Sequence, residues 1–242
     1  MTVSPFISLH ITKTAGGTLK VALTELKNRR VEMVYNRADQ DRLGEQDLTG
    51  VDLIYGHAIW GIHQRLGIPP VYGCFLRHPL TRTISHYFHL RNVDKGPVGD
   101  RIRQSTDIND FFANYQHWEF SNLMARIVSG LANNHAPAGY NLLRNAITNV
   151  RTSFHFIGFQ EFFLLSVRKL SGVIGEPLDI GKDVNIGRYR FGDVTPGYRQ
   201  RREHRALSFW RCDAGHAGQD RTVEPGRHEP VPPLPAAAPL AP

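Results

Sequence analysis

The chain has 242 residues, of which 41% are hydrophobic and 21% are charged. This balance supports a buried core and excludes a wholly disordered or fibrous protein. No apolar run approaches the roughly 20 residues that a membrane span needs, and the amino terminus carries no basic signal-like segment. The two cysteines, Cys74 and Cys212, are too few for a disulfide framework. We therefore expect a soluble, cytoplasmic protein with free thiols and no membrane association.

The formal net charge of +7 is concentrated in one segment of the chain. Seven arginines lie between Arg188 and Arg211, against two acidic residues, and the rest of the chain is nearly balanced. A charge that belongs to one segment is weak evidence for a nucleic-acid-binding surface. We therefore expect no nucleic-acid partner.

Strands and helices alternate through most of the chain. Residues 5–11 predict a strand, and TKTAGG predicts a turn. Residues 18–30 predict a helix that has Leu19, Leu23 and Leu26 on one face and ends in basic residues. Further strands are predicted at 31–35, 51–57, 70–77 and 154–159, and further helices begin near Pro79, Asp107, Phe120, Tyr140 and Glu161. This pattern predicts an α/β fold with a parallel sheet in a three-layer α/β/α arrangement.

The composition divides the chain into three parts. Residues 1–180 form the predicted α/β domain, and residues 181–223 form an atypical basic segment. Residues 224–242 hold seven of the fifteen prolines and cannot build a core, so we expect this tail to be disordered.

A glycine-containing loop joins the first predicted strand to the first predicted helix at residues 12–18 (TKTAGGT). Its backbone N–H groups and the helix dipole suit a phosphate, and Lys13 adds a positive charge. The lysine precedes the glycines, so the Walker order GxxxxGK[ST] is absent. On this loop alone, an ordinary strand–helix turn is the alternative interpretation.

Two further segments reach the same predicted edge of the sheet. Arg77 closes the strand at 70–77, and Ser85 follows about two helical turns later, so a guanidinium and a hydroxyl are placed to hold a second phosphate. His57 closes the strand at 51–57, where a histidine is able to act as a general base. Taken alone, Arg77 is equally well explained as a structural cap, and His57 is better explained as a buried structural histidine.

Two other pairs of residues carry weaker signals. His86 and His89 lie one helical turn apart, but no cysteine or acidic partner is near them in the sequence, so we expect no metal site. Asn122 and Arg126 also lie one turn apart and are able to face the site, although a solvated helix face is the default interpretation.

The segments KTAGGT, YGHAIWGIH, FLRHPLTRTISHY and FSNLMARIVSG, in this order, resemble the sulfotransferases of the carbohydrate 2-O/6-O type and their bacterial relatives of sulfotransferase family 2. The segment FIGFQEFF resembles the late strand of that family and its following acidic residue. The resemblance covers about residues 6–175.

This resemblance implies a P-loop-like nucleotide-binding fold and 3′-phosphoadenylyl sulfate (PAPS) as the sulfuryl donor, with no metal required. It implies that Lys13 neutralises the leaving phosphate, that Arg77 and Ser85 bind the 3′-phosphate, and that His57 is the base. The acceptor would be a hydroxyl of a carbohydrate or small molecule. The implied 5′-phosphosulfate loop comprises Thr12, Lys13, Thr14, Ala15, Gly16, Gly17 and Thr18.

After a segment like VNIGRYRFGDVTP (residues 184–196), the family continues into a helix with an acidic end. Here the chain becomes rich in Arg, Gly, Pro and Ala, as a shifted reading frame or a decayed terminus would be. Two alternatives therefore stay open: a nucleotide kinase or NTPase on the same scaffold, and a non-catalytic relative with a degenerate carboxyl terminus. The sequence identifies neither the acceptor nor the oligomeric state.

Overall fold

The computed structural model describes residues 4–131 and 140–181. The basic segment predicted from residue 181 onwards, except for Gly181 itself, and the tail at 224–242 lie outside the described residues, as does Cys212.

Within the described ranges, five strands form one sheet in which all the pairings are parallel. They are β1 (Phe6–Leu9), β2 (Val31–Val34), β3 (Leu53–Gly56), β4 (Tyr72–Leu76) and β5 (Phe154–Phe159). Their order across the sheet is β2-β3-β1-β4-β5, so β1 lies between β3 and β4. The register pairs Leu9 with both Gly56 and Cys74, which brings the carboxyl ends of these three strands to one edge.

Nine helices connect or flank the strands within the described residues. They are α1 (Gly16–Thr24), α2 (Arg37–Glu45), α3 (Ile62–Leu66), α4 (Pro79–Val93), α5 (Pro97–Gln104), α6 (Ile108–Asn114), α7 (Leu123–Ser129), α8 (Tyr140–Ser153) and α9 (Phe163–Ile174). Single 3-10 turns cover Trp118–Phe120 and Gln160–Phe162.

Helix α1 is shorter than the sequence predicts. It ends at Thr24 and has no basic residue in its last turn, so the expected pairing of Lys and Arg with the helix dipole is wrong. The backbone N–H groups of Lys27 and Arg30 instead donate to Glu176 Oε1 and Asp52 Oδ2, at 3.1 and 2.8 Å. These bonds fix the path of the chain between α1 and β2.

Apolar side chains cover both faces of the sheet. On one face, Phe6 and Phe75 pack with Leu23 of α1 and Leu170 of α9. On the other face, residues such as Ile7, Ile54 and Cys74 pack with α7 and with Ala146 of α8. Consecutive strand residues point to opposite faces, so the run of apolar residues in β1 supplies both layers. The predicted parallel α/β/α fold is confirmed, and it is consistent with the P-loop-like sulfotransferase fold that the resemblance implies.

A third apolar cluster packs α4, α5 and α6 together around Tyr87, Ile102 and Phe111. All three side chains are at most 1% exposed. The aromatic residues of SHYFHL and DFFANY therefore contribute to a core, as the sequence indicates. Cys74 is a buried free thiol, and burial raises its pKa to about 12. Within the described part of the chain, no helix has the length and apolar character to cross a membrane.

Candidate functional site

The loop between β1 and α1 has an unusual backbone conformation. Lys13 and Ala15 have φ angles of 68° and 70°, in the left-handed region that side-chain-bearing residues rarely occupy. The Thr14 hydroxyl fixes the turn by donating to the Ile11 carbonyl at 2.8 Å. Turns that contain left-handed residues form concave nests of backbone N–H groups, which favour an anion.

The amino terminus of α1 is left uncapped by side chains. Ala15 occupies the N-cap position and has no side-chain acceptor, and the first helical turn contains no acidic residue. The first N–H groups of a helix have no partner within the helix and carry partial positive charge. The Thr12 hydroxyl is also buried and has no hydrogen-bond partner among the described residues. These groups fit a phosphate or phosphosulfate.

The two glycines of the loop have different surroundings. A Cβ on Gly16 would overlap the His10 ring, whereas a Cβ on Gly17 would have no described atom within 4 Å. The Tyr55 hydroxyl donates to the Gly16 carbonyl at 2.8 Å. Gly16 is therefore held between β1 and β3, and Gly17 borders open space.

Arg77 connects the second predicted segment to this loop. It directly follows β4, and its Nη1 donates to the Lys13 carbonyl at 3.1 Å. Ser85 lies farther along α4 and is half-buried, and the described contacts include none that joins it to Arg77. The structure therefore brings Lys13 and Arg77 together at one edge of the sheet.

His57 lies at the end of β3 within a cluster of rings. Its side chain is exposed, and its ring centroid is 4.6 Å from that of His10 and 4.9 Å from that of Tyr35. His10 also stacks on Tyr55, at 5.4 Å and an interplanar angle of 15°. His57 is thus not the fully buried histidine of the alternative interpretation. Since His10 also fills the space over Gly16, one ring contacts both the loop and His57.

Burial by these neighbours shifts the pKa values of the two imidazoles. Desolvation is the largest cause of the lowered pKa of His10, which falls to about 3, and the charges of His57, Lys20 and Lys13 act in the same direction. Desolvation also lowers the pKa of His57, although the nearby Glu119 carboxylate opposes the shift. Both rings are therefore neutral at pH 7, as a general base must be before it accepts a proton.

Arg82, His86 and Glu119 form a hydrogen-bonded network, of which the sequence interpretation considered only His86. Arg82 Nη2 donates to the Glu119 carbonyl at 2.6 Å, and His86 Nε2 lies 3.0 Å from Glu119 Oε2. Arg82 and His86 are only 2% and 3% exposed. The sequence neighbours of His86 do not reveal this acidic partner, because Glu119 is 33 residues away in the chain and only the fold brings it close. Within the described ranges, no three His, Cys, Asp or Glu residues form a metal-binding group.

The remaining sequence signals have structural explanations. Glu161, the acidic residue after β5, accepts the His78 N–H at 2.8 Å where α4 begins. Arg126 is 4% exposed, and its Nε donates to the Ser121 carbonyl at 2.7 Å, so the default of a solvated face is wrong for this residue. Asn122 precedes α7 with a φ of 55°. Arg126 is therefore a buried residue of α7, a helix that packs against α8.

Comparison with known proteins gives little direct information on identity. No protein-family model matches the chain, and no curated protein matches it. Among solved structures, the chain is similar to the mouse sulfotransferase SULT7A1 complexed with PAP, at 8% sequence identity and a TM-score of 0.43. The alignment covers 73% of this chain and 60% of that chain. A likeness of this size supports no statement about activity.

Proposed function

We propose that the protein is a sulfotransferase that moves a sulfuryl group from PAPS to a hydroxyl of a carbohydrate or small-molecule acceptor. The observation that carries this proposal is the hydrogen bond from Arg77 Nη1 to the Lys13 carbonyl. It ties the Arg77 side chain to the backbone of the loop that carries Lys13 and leads into the uncapped terminus of α1, at the carboxyl edge of the central strands. The sequence segments resemble those of sulfotransferases and follow in the same order, which supports PAPS as the donor.

We assign the donor to the edge formed by β1, β3 and β4. The N–H groups of residues 14–18 and the Lys13 ammonium would hold the 5′-phosphosulfate, and the buried Thr12 hydroxyl would add a donor. Arg77 and Ser85 would hold the 3′-phosphate, since a guanidinium binds phosphate through two parallel bonds. This second phosphate is what distinguishes PAPS from ATP.

The proposed chemistry requires positioning and charge stabilisation. The acceptor oxygen forms a bond to sulfur while the bond from sulfur to the phosphate oxygen breaks. His57, neutral at pH 7, accepts the proton of the acceptor hydroxyl. Lys13 stabilises the negative charge that grows on the departing phosphate oxygen. Sulfate ester and adenosine 3′,5′-bisphosphate (PAP) are the products.

Calorimetry with PAP tests the donor assignment. We expect Lys13→Ala and Arg77→Ala each to weaken PAP binding at least tenfold, because each removes a charged hydrogen-bond donor of about 1.5–3 kcal/mol. Lys27→Ala is the matched control, since Lys27 is exposed and lies beyond the far end of α1. Unchanged affinity in both variants, with the fold intact by circular dichroism, would reject the assignment.

A further inference from the structure

Arg82 is a buried cation on α4. Its side chain is 2% exposed. Nη2 donates to the Glu119 carbonyl at 2.6 Å, whereas Nη1 is buried and has no hydrogen-bond partner among the described residues. Burial of a charged group is costly unless that group is paired. The guanidinium therefore lacks a partner that the described part of the chain does not supply.

No carboxylate of the described ranges lies at ion-pair distance from Arg82. The Glu119 carboxylate acts on it from farther away and is itself bonded to His86 at 3.0 Å. Desolvation lowers the pKa of Arg82 to about 10, while Glu119 opposes this shift and the charge of Arg77 adds to it. The guanidinium is thus charged at pH 7 in surroundings that disfavour its charge. An anion bound nearby would offset this cost.

The geometry of α4 places this charge beside Ser85. Side chains three residues apart on a helix are neighbours, with Cβ atoms about 5–6 Å apart, so Arg82 and Ser85 lie next to each other. Arg77 directly precedes His78, the N-cap of α4, and its bond to the Lys13 carbonyl ties the start of this helix to the donor loop. The charge of Arg82 therefore lies one helical turn from a residue that we assign to the 3′-phosphate.

We propose that Arg82 is the buried counter-charge of the 3′-phosphate, and that it makes the site select nucleotides that carry this group. This inference rests on the proposed sulfotransferase function and adds a specificity-determining residue to its donor site. Arg77 and Ser85 form hydrogen bonds to the phosphate, while Arg82 acts on its charge through a region that solvent screens poorly. Because the Glu119 carbonyl holds the guanidinium, the charge is in position before the nucleotide binds.

The test compares PAP with adenosine 5′-phosphate (AMP), which differs from PAP only in lacking the 3′-phosphate. Calorimetry gives the ratio of the two dissociation constants for each variant. Arg82→Met removes the charge and keeps an unbranched side chain, so we expect the preference for PAP to fall at least tenfold while AMP affinity stays within twofold. Arg82→Lys keeps the charge and should retain the preference within threefold. Arg91→Met is the matched control, because Arg91 is exposed in the last turn of α4, and it should keep both affinities.

An arginine that only supports the fold would give a different pattern. Arg82→Met would then weaken the binding of PAP and AMP alike. Such an equal loss, an unchanged preference, or a loss in Arg82→Lys as large as that in Arg82→Met would overturn the inference.

NMR of the guanidinium Nε–Hε signals of the wild-type protein covers the case in which Arg82→Met does not fold. The signal of Arg82, assigned by its absence in Arg82→Lys, should shift when PAP binds and stay in place when AMP binds. Equal shifts with the two nucleotides would also overturn the inference. A wild-type protein that binds PAP no more tightly than AMP would instead contradict the proposed function itself.

Discussion

His57 combines exposure to solvent with partial desolvation by its neighbours. Its ring is open at the end of β3, while His10 and Tyr35 cover its inner side. Desolvation disfavours the charged imidazolium, so the pKa of His57 lies below its ordinary value of 6.5. The neutral, basic form is therefore present at pH 7 and persists to somewhat lower pH.

This shift predicts the acid limb of the pH–rate profile. For the free enzyme, kcat/KM should be constant around pH 7 and should decline only below pH 6.5, as His57 becomes protonated. The measurement is kcat/KM for the acceptor between pH 5 and 8. A midpoint at or above 6.5 would contradict the local environment described for His57.

Substitution of His57 separates its role from donor binding. His57→Ala should bind PAP as tightly as the wild-type protein, because the phosphates are assigned to the loop and Arg77. Its kcat should fall by about 10²–10⁴-fold, which is the usual contribution of a general base. Calorimetry and single-turnover kinetics measure the two quantities, and full turnover in this variant would remove His57 from the mechanism.

His10 links the site to the stability of the fold. Its pKa of about 3 in the folded protein lies below the unfolded value of 6.5, so the unfolded chain binds more protons between these values. The free energy of unfolding should therefore fall as the pH falls from 7 to 5, by about 2 kcal/mol from this group. Urea unfolding at both pH values checks this. His10→Gln should show a correspondingly weaker pH dependence, and an identical one would contradict the assignment.

Individual site residues differ in how far the sequence reveals them. His57 and Arg77 directly follow β3 and β4, and Lys13 lies in the loop after β1. Parallel strands place their carboxyl ends at one edge, so the proximity of these residues was predictable. The Glu119–His86 pair was not, because it joins a 3-10 turn to a distant helix. A short polar turn has no periodic sequence pattern from which its packing partner could be predicted.

At the scale of elements, the β1–loop–α1 unit depends on a contact between His10 and Gly16. Gly16→Ala would place a methyl group where the His10 ring lies, so we expect it to lower the free energy of unfolding by about 1–3 kcal/mol. Gly17→Ala has open space and should change stability by no more than about 1 kcal/mol. Urea denaturation of both variants measures the difference. Equal free energies of unfolding would contradict the close contact between the His10 ring and Gly16.

Whole strands and helices also differ in how clearly the sequence predicts them. All five strands of the described residues were predicted, since β1, β3 and β4 are buried apolar runs and β2 and β5 are rich in β-branched or aromatic residues. Helix α2 was missed because it is strongly polar and buries only Leu43. A signal did exist there, since Asn36 and Asp39 form a capping box. Helices α3 and α5 were also missed: α3 has only five residues, and α5 buries only Gly99 and Ile102.

At the scale of the whole molecule, the strand order determines the site. Placing β1 between β3 and β4 brings His57, the loop and Arg77 into one row. For binding at this edge, the net charge of +7 matters less than the positions of two cations, Lys13 and Arg77. The same arrangement of His57, the loop and Arg77 would also suit a nucleotide kinase. The central claim is therefore that the bound nucleotide is PAPS.

A thermal-shift comparison of PAP with ADP, each with and without magnesium, tests that claim most directly. We predict that PAP stabilises the protein without metal, by about 2.7 kcal/mol at a hundredfold excess over its dissociation constant, which is several degrees in Tm. ADP lacks the 3′-phosphate assigned to Arg77 and Ser85 and should give a smaller shift under every condition. A larger shift with ADP, appearing only when magnesium is added, would contradict the account.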